Sequence, residues 1–249
     1  MKAQIRIFNL MKTVVYQDII KDLQQLASPE RAVSMQRFFK TGKGEYGEGD
    51  RFHGVSVPQQ RAIAKKYGNE CTREDIVRLL DADFHEERLT GVFLLVHVCK
   101  MAAKKKQEQS WVELYIEKAE RMNNWDLVDS SAHFILGPWL EHNDKKILHA
   151  FAKSDSLWKN RIAMVSQLHF IRKNILTDLF PLCEHLLEHP HDLMQKATGW
   201  MLKEAWQKDP LAVEEFLNEN YTRMPRTLLR YAIEKMPEPQ RKAYLKKLV

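Results

Sequence analysis

The chain has 249 residues, 44% hydrophobic and 29% charged, with 39 Lys and Arg against 33 Asp and Glu for a formal charge of +6. Such a balance suits a folded chain with a substantial core and excludes extended disorder, and no stretch approaches the roughly 18 uninterrupted apolar residues that a membrane span requires. Cys71, Cys99 and Cys183 are odd in number, widely spaced and free of any CxxC pattern, so neither a disulfide framework nor a zinc site is expected, and a reducing, cytoplasmic compartment fits.

The N-terminal MKAQIRIFNLMKTVV mixes cations with apolar residues and lacks a continuous apolar core, so no secretory signal is expected. Four of the nine glycines, Gly42, Gly44, Gly47 and Gly49, crowd into KTGKGEYGEGDRF, which leaves room for a short β-hairpin over 41–54. Nearly everything after residue 58 reads as helix. Leu79, Leu80 and Phe84, then Leu89, Val92, Phe93 and Val96, recur at helical spacing, and GVFLLVHVC (91–99), short and flanked by charge, reads as a buried helix. The spacing returns in Leu127, Val128, Ala132, Ile135 and Leu136 and again in Ile162, Val165, Leu168 and Phe170. Cap signals at Asn143-Asp144, Ser154-Asp155-Ser156, Thr177-Asp178, Pro190-His191 and Asp209-Pro210, with punctuation at Pro138, Pro181, Pro225 and Pro237, divide this region into many helices. Helices are expected to open near Trp125, Leu157 and His191, 32 and 34 residues apart, each followed by a shorter one near Asp144, Asp178 and Pro210. Helix pairs at that interval predict an all-α fold, an α-solenoid of HEAT-like antiparallel helix pairs forming one domain over 1–249, its inner helices lining a concave basic groove.

In NNWDLVD (123–129), Trp125 and Asp129 stand four residues apart and share a helical face. The first helix of the next pair carries Trp158 and Arg161, and the one after it Lys196 and Trp200, so successive inner helices would present these groups side by side. Taken singly, each has a plainer reading: the tryptophans as core, Asp129 as a solvated carboxylate, Arg161 as half of a weak ion pair. Their alignment on consecutive repeats is the stronger signal. Lys40, Lys43, Arg51, Arg172, Lys173, Arg226 and Arg230 are spread across the expected groove and its ends, and Arg226 and Arg230 lie one turn apart near a helix start, where free N–H groups suit a phosphate strand. A carboxylate in a cationic groove costs affinity for any polyanion, so its presence points to chemistry in which the ligand becomes positive. Cleavage of an N-glycosidic bond is such a reaction: its oxocarbenium-like state is stabilised by an aspartate, and indole faces add cation–π attraction. An N-alkylated base is already cationic and leaves without a general acid, so one carboxylate suffices, with no metal and no cofactor.

The chain also resembles the AlkD-type DNA alkylation repair glycosylases along most of its length. The stretches that carry the resemblance are FFKTGKGEYGEGDRFHGVSVPQQRAIAKKY (38–67), NNWDLVDSSAHFILG (123–137), LWKNRIAMVSQLHFIRK (157–173), QKATGWMLKEAW (195–206) and MPRTLLRYAIEKMP (224–237). The resemblance implies that Trp125 and Asp129 are the aromatic and the catalytic carboxylate at the lesion's deoxyribose, that Arg161 contacts the backbone nearby, and that Trp200 is the second indole against the sugar. It also implies excision of 3-methyladenine and 7-methylguanine from duplex DNA without a metal and without extruding the base into a pocket. One groove per chain makes a monomer sufficient, and DNA binding would associate it with the nucleoid. Phe38 stands where the best-known type carries a tyrosine. Two other readings stay open: a non-catalytic module that recognises branched or distorted DNA through the groove and the hairpin, and a solenoid scaffold that binds protein.

Overall fold

In the computed structural model residues 14–246 are described, so the N-terminal stretch read for a signal lies almost wholly outside the described residues. The chain forms two compact units, Met1–Ser131 and Ala132–Val249. Both are helical, as the apolar periodicity predicts. No helix among the described residues is long and apolar enough to cross a membrane.

The first unit contains α1 (Val14–Gln25), α2 (Pro29–Phe38), α3 (Val57–Tyr67), α4 (Arg73–Leu80), α5 (His85–Ala103), α6 (Gln109–Glu117) and α7 (Trp125–Asp129). Local chemistry sets the starts. Ser28 accepts from the Arg31 amide ahead of Pro29, and Thr72 and Asp75 form a reciprocal capping box. The centre of the unit is α5, against which α1, α3, α4, α6 and α7 all pack. This is why 91–99 is apolar nearly all round: Val92, Leu94, Leu95 and Cys99 are buried on several sides at once. Each such leucine contributes roughly 1.5–3 kcal/mol of burial.

The second unit contains α8 (Ala132–Leu140), α9 (Lys146–Ala152), α10 (Leu157–Arg172), α11 (Leu179–His185), α12 (Asp192–Trp206), α13 (Pro210–Asn220), α14 (Arg226–Ala232) and α15 (Glu238–Lys246). One row runs α8, α10, α12, α14, each packed on the next, while α9 and α11 pack on α10 and α13 packs on α12. The predicted openings at Leu157 and His191 and the second helices after Asp144, Asp178 and Asp209 are therefore present. At Gly199 the α12 backbone comes so close to α14 that a Cβ would sit 2.5 Å from both the Leu228 carbonyl oxygen and the Tyr231 Cβ.

Three expectations need correction. No hairpin forms over 41–54; that segment is a chain of turns, and the lone bridge there joins Arg51 to Phe84. The cause is local: the Glu45 carboxylate accepts from the Gly42 amide at 2.9 Å and Glu48 from Gly44 at 2.8 Å, using backbone donors that a strand ladder needs. The helix expected to run on from Trp125 stops at Asp129 and restarts at Ala132, because the Ser131 hydroxyl folds back onto the Leu127 carbonyl at 2.6 Å. Pro138 lies inside α8 rather than at a boundary.

Candidate functional site

Trp125 and Asp129 are the first and last residues of α7, and both are half-buried. Five residues cannot sustain a helix by propagation, so α7 depends on its ends. At the start, the fully buried Asn124 accepts from the Trp125 amide at 2.8 Å and reaches Asp50 with its own amide at 3.4 Å. At the end, the Ser131 hydroxyl donates to the Leu127 carbonyl, which leaves its oxygen to accept the Tyr115 hydroxyl at 3.0 Å. Burial, and then the charge of Asp129, push the Tyr115 phenol well above its ordinary range, so it remains a donor. The short helix is thus pinned at both termini.

The Trp125 indole stacks on Phe39 at 5.5 Å and meets Phe38 edge-on at 5.9 Å. Phe39 continues into Phe52 at 5.2 Å, which in turn stacks on His85 at 4.9 Å. Only the outer member, Phe38, is widely exposed, at 64%. It sits there because α2 ends beneath it: Lys40 takes φ of 52°, its amide bonds the Arg37 carbonyl and the Thr41 amide bonds the Gln36 carbonyl, the two closures of a Schellman turn. Lys40 and Lys43, just beyond, are exposed and make no side-chain hydrogen bond or ion pair among the described residues. Arg51 is engaged instead, its guanidinium 4.4 Å from the centre of the Phe84 ring and 3.9 Å from Asp83.

Beneath the aromatic stack lies a buried charge network. The His85 ring places Nδ1 3.1 Å from Asp50 and Nε2 2.8 Å from Asp126, and Arg88 pairs with the other Asp50 oxygen. Burial acts against a charged imidazole, but the carboxylates of Asp126 and Asp50 outweigh it and hold His85 up to about 9. Asp50 is held below the usual carboxylate range: its burial is more than offset by the His85 hydrogen bond and the Arg88 charge. Next to His85, the buried Glu86 accepts from the backbone amides of His53 (3.0 Å), Gly54 (2.8 Å) and Val55 (3.1 Å). Gly54 has φ of +82°, and a Cβ there would lie 2.1 Å from the Ser28 carbonyl oxygen.

In the second unit, Arg161 on α10 is not presented to solvent. It is 5% exposed and donates to the Leu193 carbonyl in the first turn of α12. Trp200 on α12 is half-buried, its indole N–H donating to Glu204 at 3.0 Å. Lys196 pairs with Asp192 at 2.8 Å, Lys173 with Glu141 at 2.5 Å, and Arg226 donates to the Leu245 carbonyl at 2.8 Å. Arg172 and Arg230 are exposed and make no side-chain hydrogen bond or ion pair among the described residues. The predicted cations therefore divide into two kinds. Lys40, Lys43, Arg172 and Arg230 are available to an anion, whereas Arg51, Lys173, Lys196 and Arg226 already have partners.

In the first unit Phe38 meets Trp125, which lies one turn from Asp129 on α7, with Lys40 close by in the chain. Sequence reasoning missed Phe39 and Phe52 as the supports of Trp125, and the whole set Asp50, His85, Arg88, Asn124 and Asp126. One signal was available: His85-Glu86-Glu87-Arg88 puts four polar residues at the start of a helix whose remainder is apolar, where a solvated first turn or buried partners must follow. Its partners lie 35 to 41 residues away, beyond any local pattern.

A family model described as DNA alkylation repair enzyme matches residues 19–236 of the chain. Among solved structures, one described as "Predicted DNA alkylation repair enzyme from Enterococcus faecalis" is 20% identical with a TM-score of 0.69, covering 85% of this chain and 97% of its own. At that identity the likeness speaks for the fold alone. No curated protein matches.

Proposed function

The chain belongs to the DNA alkylation repair enzyme family, and from that premise we propose that it is a DNA glycosylase that hydrolyses the N-glycosidic bond of cationic N-alkylated purines, 3-methyladenine and 7-methylguanine, in double-stranded DNA. The observation that supports this reading is Trp125 and Asp129 one turn apart on a helix pinned at both ends, the indole backed by Phe39 and flanked by the exposed Phe38.

The cationic base leaves with the electrons of the glycosidic bond and becomes neutral, and positive charge passes to the deoxyribose. Asp129 stabilises that charge electrostatically and orients the water whose oxygen bonds to the sugar carbon, the water's proton passing to solvent. The indole face of Trp125 favours the cationic sugar. Lys40, Lys43, Arg172 and Arg230 supply phosphate contacts, which position the duplex without reading its sequence. Arg161, given its burial and its bond to Leu193, serves by holding α12 rather than by meeting phosphate. The lesion stays in the duplex, and one such site per chain makes a monomer sufficient.

The test is single-turnover base release from 7-methylguanine duplex DNA by wild type and Asp129→Asn. Release is expected to fall about a thousandfold, the scale of losing one preorganised electrostatic group, with duplex affinity unchanged or slightly tighter. Near-normal release by the variant would sink the assignment; duplex binding by wild type without release would favour the binding-module reading.

A further inference from the structure

The buried network under α7 is absorbed by none of the roles above. It places two carboxylates and two cations in the interior, and such a group seldom repays its desolvation in stability. What it does is mechanical. Asp50 belongs to the glycine-rich loop that follows Phe38 and Lys40, Asp126 is the second residue of α7, and His85 opens α5, the central helix of the unit. One imidazole therefore joins three segments; Arg88 also ties α5 to the loop through the other Asp50 oxygen, the His85 amide does so through the Arg51 carbonyl at 2.8 Å, and the Asn124 amide turns to Asp50 from the start of α7.

Geometry fixes the protonation this junction needs. Both ring nitrogens face carboxylate oxygens, at 3.1 and 2.8 Å. A neutral imidazole carries one N–H, so it serves one carboxylate and turns a lone pair to the other; the imidazolium serves both. The charged side chains about the ring are Asp126 from α7, Asp50 from the loop and Arg88 from α5 itself, while Phe39 and Phe52 form its apolar walls.

We infer that His85 is a positioning residue: as an imidazolium donating to Asp50 and to Asp126, it clamps the glycine-rich loop to the first turn of α7 and so sets the orientation of Trp125 and, one turn on, Asp129. When the ring loses its second proton, one end of the clamp opens and α7 loses its registration. The catalytic consequence rests on the glycosylase reading, but the clamp itself does not. A shift of a few tenths of an ångström in a stabilising carboxylate is enough to lower the rate with little effect on binding.

Two measurements test it. In wild type with uniform 15N and 5-fluorotryptophan labels, the His85 ring nitrogens are followed by NMR from pH 6 to 10, together with the 19F resonance of Trp125, identified by its loss in Trp125→Phe. His85 is expected to stay doubly protonated beyond pH 8, and the Trp125 resonance to move with the same midpoint. A ring that titrates near 6.5, or a Trp125 signal that does not follow it, overturns the clamp whether or not the protein excises bases. The second measurement is single-turnover release of 7-methylguanine over the same pH range, in short incubations, by wild type, Asp126→Asn and His85→Gln. Wild type should lose activity along an alkaline limb that coincides with the His85 titration, and Asp126→Asn, which removes one of the two charges holding the proton, should move that limb acidward by a unit or more. His85→Gln should have no such limb and a rate lower by about tenfold or more, with duplex affinity within about threefold. A limb unmoved in Asp126→Asn overturns the positioning role, as does a full rate in His85→Gln. If no variant releases base at any pH while the NMR midpoints still coincide, the clamp stands and the glycosylase reading is what fails.

Discussion

Replacing Glu86 by glutamine exchanges one oxygen for an NH2 group and should destabilise the first unit by far more than that change in size implies. In the native unit one carboxylate oxygen accepts from Gly54 and Val55 and the other from His53. Glutamine can keep its carbonyl on Gly54 and Val55, but its NH2 then confronts the His53 N–H, two donors with nothing between them. An orphaned buried donor costs about 1–3 kcal/mol, and each of the two retained bonds loses about 1 kcal/mol on passing from charged to neutral acceptor. The lower desolvation cost of an amide returns part of this, so the net is about 2–4 kcal/mol. The backbone has no easy relief, since Gly54 is already pressed against the Ser28 carbonyl. At roughly 3 °C per kcal/mol, thermal unfolding followed by circular dichroism at pH 7 should fall by about 6–12 °C. Amide exchange at residues 53–55 should speed up by more than the global destabilisation accounts for. A shift under about 2 °C, or unaltered local exchange, would refute the claim that this carboxylate holds the loop.

The remaining predictions concern packing, charge and salt. Gly199→Ala places a methyl 2.5 Å from the Leu228 carbonyl oxygen and the Tyr231 Cβ, so it should destabilise the second unit by about 1–3 kcal/mol in urea unfolding, whereas an unchanged midpoint would mean that α12 and α14 are not held at that distance. Because His85 is held above its unfolded value of 6.5, at about 9, its contribution to stability is fully present below pH 6.5 and fades as pH rises through 9, a loss on the order of 3 kcal/mol. Urea midpoints at pH 6.5 and pH 9 check this, and equal stability at both would contradict the network. Asp50, held below its ordinary value of 3.8, contributes with the opposite sense: its share is present above that pH and is lost on acidification. The pair Lys40→Gln and Lys43→Gln should weaken duplex binding alike for all sequences and reduce the slope of log affinity against log salt by about 1–2. An unaltered slope would remove both lysines from the phosphate contacts.

Local sequence determined most of the helical framework. Caps at Ser28, Thr72, Ser156 and Asp209 bond amides within three residues of themselves, and the apolar spacing that buries α5 and α10 repeats every turn, so both are written in neighbouring letters. Trp125 and Asp129 could be paired for the same reason, being one turn apart. The tertiary structure decided what the letters left open. It buried Arg161, whose charge alone reads as surface, because the guanidinium found a carbonyl at the start of α12. It also set Asp50, His85 and Asp126, which are dispersed along the chain, within hydrogen-bond reach of one another, and a buried charge persists only where its partner arrives from elsewhere in the fold.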